Sequence, residues 1–393
     1  MKNAEASLSL TVLLGVLIAL PALGTDLFVP ALPLLADALQ VDVVSAQFTL
    51  TTYFAGLGAG MLVWGPLSDR YGRKPVLLAG LATMLAASLM VTFADSAGTV
   101  AVARLAQGLA MASGSVIGRA VVRDLHAHEQ AARLLARMTI VFSVVPLTAP
   151  IVGALVSTGA GWRAIFWGFT LVGALLIVAV AAGLHETAPA ERRSLHPADI
   201  ARTWLSILSD ARFVAPFLLV LCAHLGILAW VSSSAFVLVR GFGIEPWGYG
   251  LAFGAVMLGQ ICGAWASSRL VVRLGIPRLL RLGTATMLAA GLSAGVLAWS
   301  GVAHWAAVVL PFLGFLFGSA LTVPNATAAA ISPFPGSAGA AVSLVGAVGF
   351  GVGAFISTAL GAAFDGTARP MATLAAFGGA AAFILNRWKA SAP

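Results

Sequence analysis

Twelve apolar runs, each close to the twenty or so residues a helix needs to cross a bilayer, decide what this chain can become. They lie at approximately 8–35, 46–66, 75–94, 98–121, 134–158, 164–184, 213–239, 247–268, 277–299, 303–325, 338–362 and 370–388. In hydrocarbon every backbone N–H and C=O must be bonded within the protein, so runs of this length read as helices. Only 9% of the residues are charged, against about 25% in soluble domains. The expected fold is an all-α integral membrane protein with twelve transmembrane helices. The first run follows Lys2 and passes Ala22-Leu23-Gly24, as a cleaved leader would. It is longer than the roughly 7–15 apolar residues of a leader, and it is read as span 1.

One segment breaks the apolar pattern. His185 to Arg212 holds eight charged residues in 28, with Trp204 to Leu208 expected as a short surface helix. It divides the chain into a six-helix bundle at 1–184, a cytoplasmic linker at 185–212 and a second six-helix bundle at 213–393. The halves echo each other. GPLSDRYGRKP follows span 2 and GAWASSRLVVRLGIP follows span 8, with Gly65 and Gly263 198 residues apart. Such a parallel duplication puts a substrate site near the midplane, between the halves.

The net charge of +8 raises nucleic acid as a partner. The distribution argues against it, because the basic residues sit in short clusters between apolar runs and do not interleave with aromatics. With the N-terminus in the cytoplasm, 17 Lys and Arg residues fall on the inner side and only Arg163, Arg240 and Arg369 on the outer side. That bias places both termini inside. Cys222 and Cys262 both lie in apolar runs, so no disulfide or metal framework is expected.

Few polar residues interrupt the spans. Asp26 stands 18 residues from Leu8, about 27 Å along a helix. A carboxylate there faces the protein interior or a wet pathway, where it can take up and release a proton; the other reading is an interfacial acid near the helix end. Arg104 and Gln107 share one face of span 4 at a similar depth. Arg104 either lines the interior or snorkels to the interface. In the first case it is the expected electrostatic neighbour of Asp26. His224, in the middle of span 7, is either a titrating group or a satisfied packing histidine.

Other patterns carry less. His126-Ala127-His128-Glu129 sits in a loop after span 4, and no metal is expected there. Gly56-Leu57-Gly58-Ala59-Gly60 and the run Gly349 to Gly353 read as close helix contacts. None of the three lysines follows a glycine, so there is no nucleotide-binding lysine, and energy must come from an ion gradient or a partner. A membrane enzyme would need clustered acid, base or metal groups at one depth; Asp26, Arg104 and His224 do not make that cluster.

GPLSDRYGRKPVLLAG, between spans 2 and 3, resembles the signature of the major facilitator superfamily, with Gly65, Asp69, Arg70, Gly72 and Arg73 in place. The resemblance implies a latch. Asp69 would meet the positive N-terminal end of span 11, and Arg73 would pair with Asp124 below span 4. Arg104-x-x-Gln107-Gly resembles the second motif of drug:proton antiporters, where the arginine lines the cavity. Pro146, Pro150, Gly153 and Ser157 fall on one face of span 5, and Ala149-Pro150-x-x-Gly153 resembles the exporter motif, with Ala149 for its usual glycine. TDLFVPALP, RAVVRD, GWRAIF and PNATAAAISPFPGSAG resemble the bicyclomycin-resistance branch of drug exporters, with Asn325 at the end of span 10. Met61 and Gly349 stand where that branch carries glutamines, which makes the cavity less polar. The resemblance implies a monomeric exporter in the bacterial cytoplasmic membrane, driven by protons, without a cofactor, acting on drugs or small amphipathic molecules. The competing reading is an importer or facilitator of a small metabolite on the same fold.

Overall fold

The computed structural model describes residues 8–125, 128–188 and 197–391, and each expected span is helical there. The first half holds Leu8–Asp26, Val43–Tyr71, Arg73–Thr92, Ala97–Leu125, His128–Ala160 and Arg163–Gly183 as spans 1 to 6. The second holds Ala211–Ala235 (span 7), Pro246–Trp299 (spans 8 and 9), Ala306–Ile331 (span 10), Ala338–Ala362 (span 11) and Arg369–Ser391 (span 12). No strand occurs among the described residues. His126 and Ala127, the side chains of His128 and Glu129, and the charged residues Lys2, Glu191, Arg192 and Arg193 lie outside what is described.

Three elements differ from the sequence reading. Span 1 is not continuous: its helix ends at Asp26, a 3-10 turn covers Val29–Ala31, and a short helix Leu32–Ala38 follows. Pro30 and Pro33 lack the N–H groups that would carry the helix through. Spans 8 and 9 form one run of helix with non-helical backbone only at Gly275. The linker helix is Pro197–Leu208, longer than 204–208.

Each span turns a different face to lipid and to its neighbours. On span 6, Phe166, Phe169, Gly173, Leu176 and Val180 are buried, whereas Trp167, Leu171, Leu175 and Val178 on the opposite face are exposed. In a bilayer that exposed face contacts lipid tails.

The duplication has a different register from the one read in the sequence. A Cβ on Gly56 would overlap the carbonyl oxygen of Leu105, and one on Gly60 would meet that of Leu109 at 2.7 Å. Gly259 and Gly263 approach Leu313 and Phe317 in the same way. Gly80 lies on Ser113, and Gly283 on Thr322. Gly72 (φ +103°) and Gly275 (φ +73°) both turn the chain through the left-handed region that only glycine enters cheaply. Each of these four pairs is 203 residues apart, not 198. Val272, not Ser267, is therefore the counterpart of Asp69, and the second copy has no acid at its turn.

These crossings predict a sharp contrast. Gly56→Ala places a methyl group against backbone and should cost about 1–3 kcal/mol. Gly168→Ala, where nothing lies within 4 Å, should be neutral. Thermal unfolding of the two purified variants checks this, and equal midpoints would count against helix contact through Gly56.

Candidate functional site

The break in span 1 builds the first part of the site. Pro21 cannot donate to the helix, and its own carbonyl accepts from Thr25 Oγ1 at 3.0 Å and from Tyr53 Oη at 2.9 Å. Gly24 has no side chain, and a Cβ there would overlap the Tyr53 phenol. Span 2 thus lays its tyrosine across span 1, one turn before Asp26.

Arg104 is fully buried beneath that break. Its Nη1 donates to Gln107 Oε1 at 2.6 Å and its Nη2 to the Gly24 carbonyl at 3.0 Å. Gln107 passes the contact on, from Nε2 to Ser88 Oγ at 2.8 Å. The guanidinium lies 3.9 Å from the centre of the Tyr53 ring and 4.5 Å from that of Phe28. A desolvated cation over aromatic faces gains about 2 kcal/mol or more per contact. Arg104 does not snorkel.

Asp26 is also buried, at 7% exposure. No ion pair with Arg104 is described, and the guanidinium holds the carbonyl of Gly24 instead. Arg104 and Asp26 are joined through the break in span 1 and not by direct contact. The carboxyl lies within electrostatic range of Tyr53 in its own half and of Tyr249 in span 8. Tyr249 in turn bonds Ser234 of span 7 at 3.0 Å.

Span 5 reaches both the break and the other half. A Cβ on Gly153 would overlap the carbonyl of Leu27, the residue after Asp26. Pro150 and Ile151 pack on Gly250 of span 8, where a Cβ would lie 3.0 Å from Ile151 Cα. One turn earlier, Leu147, beside Pro146, packs on Gly254. The proline–glycine face therefore touches span 1 beside the buried acid and span 8 across the interface.

Spans 2 and 11 form the opposite seam between the halves. Gln47 Nε2 donates to the Ser232 carbonyl at 2.9 Å, and Ser357 Oγ donates to the Gln47 carbonyl at 3.4 Å. Gln47 Oε1 and the hydroxyls of Ser232 and Ser233 are buried with no partner among the described residues. Further along, Phe54 stacks on Phe350 at 6.2 Å, and Met61 lies against Gly346. His224 keeps Nδ1 on the Val220 carbonyl at 2.7 Å, and its Nε2 faces Gly349. Beyond the seam, at the rim, Arg240 pairs with Asp37 and donates to the Pro33 carbonyl at 3.4 Å.

The basic end of the molecule carries a denser network. Arg73 bonds Asp124 Oδ2 at 2.9 Å, Ser68 Oγ at 2.7 Å and the carboxylate of Asp69. Asp69 is thus engaged within its own turn, and the approach to span 11 at this end is made by Arg123, near Gly339. Arg70 is exposed, and Gly65 packs loosely on Val116. Glu186, just past span 6, accepts from the backbone N–H groups of Arg73 and Lys74 at 2.8 and 3.3 Å, capping span 3. Partial burial works to raise the Glu186 carboxyl, but four backbone donors (Ala188, Arg73, Lys74 and Thr187) outweigh it and hold it below the ordinary glutamate range. In the second half, Asn325 donates to Ser267 Oγ and to the Leu321 carbonyl, both at 2.8 Å, a buried link between spans 8 and 10.

Comparison with known proteins fits this architecture. A family model described as Major Facilitator Superfamily matches residues 14–387. The chain belongs to the major facilitator superfamily. It is similar to a bicyclomycin resistance protein homolog of Haemophilus influenzae, with 31% identity over 360 residues, 91% of this chain and 90% of the relative. It is also similar to multidrug resistance protein D of Escherichia coli, with 27% identity over 359 residues, 91% of this chain and 90% of the relative. In structure it resembles the partially occluded, inward-open xylose transporter XylE of E. coli, with a TM-score of 0.77 at 13% identity over 98% of this chain and 97% of that one. As a member of the major facilitator superfamily the chain is a multi-pass membrane transporter of a small molecule and not an enzyme.

Sequence reasoning missed the parts of this site that come from pairing across the interface. Gln47, Asp37 and Arg240 look ordinary in the chain. Ser232-Ser233-Ser234 did carry a signal, three hydroxyls in succession inside an apolar span. Two outcomes are expected here. Ser232→Ala and Ser233→Ala each remove an unpartnered hydroxyl and should stabilise this arrangement by about 1 kcal/mol or more, read as a higher unfolding midpoint. Glu186 has a depressed carboxyl, so the stability its charged form adds is full above the ordinary glutamate range and is lost progressively as pH falls from that range through its lowered value. The difference in unfolding midpoint between wild type and Glu186→Gln should shrink as pH falls from the ordinary glutamate range downward; a difference that does not change with pH there would count against the cap.

Proposed function

We propose that this transporter is a proton-coupled exporter of drugs or other small amphipathic molecules, working by alternating access with both termini in the cytoplasm. Asp26 carries the reading. Among the described residues it is a buried carboxyl without an ion pair, at the one break in a spanning helix of the first half. A charged carboxylate in that setting is expensive, and binding a proton removes the cost. A proton taken from outside and released inside delivers about 2.3 kcal/mol per 100 mV of potential, roughly a 50-fold gradient of substrate. Substrate and proton then compete at the break or bias the two conformations oppositely.

Other features support the direction and the mechanism. The lysine and arginine bias supports a cytoplasmic position for the basic end. The relatives named for bicyclomycin and multidrug resistance favour export over import. Asp37 and Arg240 join the halves at the far rim, and that rim would part when the pathway opens outward. The Arg73 network would steady the cytoplasmic side, with Asp69 exchanging Arg73 for the end of span 11 during the cycle. Arg104, held by aromatics, keeps a positive field beside the proton site without neutralising it. The protein would act as a monomer, with no cofactor.

Two variants test this. Asp26→Asn should remove proton-driven export from inverted vesicles while the purified protein unfolds at its normal midpoint; undiminished export would end the proton-site reading. Asp69→Asn should slow turnover with little change in substrate binding, and an unchanged rate would refute its part in the latch. Uptake in the opposite direction, measured by counterflow in the same vesicles, would favour the importer reading.

A further inference from the structure

The second half has a groove that the transport pathway does not use. Spans 9 and 10 part toward the far end and leave a cavity of about 620 Å³, open to the side of the molecule. Small side chains make it: Ala289, Ala290 and Ser293 from span 9 face Ala306, Ala307 and Gly314 from span 10. Its walls are almost wholly apolar. From Leu297 down to Thr286 it follows eleven residues of helix, about 16 Å. That is about half of a 30 Å hydrocarbon core, the depth of one leaflet.

The mouth of the groove carries an imidazole and, close by, a guanidinium. His304 lines it, and Leu297, Val302 and Ala307 continue into a second cavity of about 200 Å³ bounded by Arg369. The Arg369 guanidinium lies 5.1 Å from the Trp299 ring; Asp365 is within its electrostatic range, but no ion pair between them is described. His304 Nδ1 accepts from the Ala306 N–H at 3.2 Å, so Nε2 carries the ring's donor. Trp299 and Trp305 beside them are exposed, as tryptophans are at the level of lipid headgroups.

We infer that this groove is a phospholipid site: the headgroup phosphate binds Arg369 and His304, and one acyl chain lies between spans 9 and 10. Apolar burial gains little inside a membrane, so the charged contact supplies the selectivity, and the small-residue walls supply the fit. Arg163 at the same end is a natural contrast. It too stacks on a tryptophan, Trp162, but its guanidinium is committed to the Ala94 carbonyl at 2.7 Å and to Asp95 at 3.5 Å.

The test uses the full chain reconstituted in vesicles of phosphatidylethanolamine and phosphatidylglycerol with added diacylglycerol, extracted in detergent, with bound lipid identified and counted by native mass spectrometry. Wild type should retain a phospholipid through delipidation. Arg369→Gln combined with His304→Gln should lower retention about tenfold, the scale of a charge-assisted contact. Ser293→Phe or Ala289→Phe, at exposed positions that tolerate bulk, should fill the groove and do the same, with an unchanged unfolding midpoint. Arg163→Gln should change nothing. Equal loss in Arg163→Gln, undiminished retention in both groove-filled variants, diacylglycerol held as firmly as phosphatidylglycerol, a second copy of the chain retained in place of lipid, or no lipid kept by wild type would each overturn the proposal.

Discussion

Lipid tails are as apolar as leucine, so burying hydrocarbon does not draw helices together in a membrane. Close backbone approach must do so, and here glycine permits it. Gly56 and Gly60 bring span 2 onto the carbonyls of span 4, and Gly259 and Gly263 bring span 8 onto span 10 in the same register. Gly153 brings span 5 onto the break in span 1. Every feature of the site depends on these distances. Arg104 reaches the Gly24 carbonyl because spans 1, 2 and 4 are packed at backbone contact, and Tyr53 covers it because Gly24 has no side chain.

The same register exposes an asymmetry between the halves. Leu105 packs on Gly56 and Leu313 on Gly259, so the position before each, Arg104 in the first half, is Phe312 in the second. Phe312 packs on Trp230 at 5.3 Å in an apolar aromatic cluster, where Arg104 sits in an aromatic cage with a polar chain behind it. Asp69 likewise has Val272 as its counterpart. The duplicated scaffold supplies the shape twice, but among the described residues the buried charge and the acidic turn occur in the first half alone. The second half contributes the Ser232–Ser234 hydroxyls, Tyr249 and His224 to the interface, and at the rim Arg240.

The buried polar groups at the span 2–span 11 seam bear on motion. A buried hydroxyl or amide without a partner costs about 1–3 kcal/mol. Gln47 Oε1, Ser232 Oγ and Ser233 Oγ have no partner among the described residues, and water or substrate entering the seam would supply one. The Asp37–Arg240 pair at the rim opposes that tendency. A transporter that must open at each end in turn gains from a seam that is held and not fused.

The chain alone determined the class of fold and the location of the turn motif. Those rest on local properties: apolar length, charge along the sequence, and residue spacing within one helix. Arg73 with Asp124 and the burial of Arg104 followed from the same motifs. The tertiary structure decided what depends on how helices meet. It set the repeat at 203 residues through spans 2 and 3 and at 208 in span 4, which needed the glycine contacts to fix the register. It broke span 1 after Asp26, where Pro30 and Pro33 outweigh apolar length. It gave Arg104 to a backbone carbonyl and left Asp26 without that partner, because matching depth in two helices does not fix which faces they turn to each other. It also brought Gln47, Asp37 and Arg240 to the interface, residues whose partners lie about 185 to 310 positions away in the chain, where no local pattern reaches.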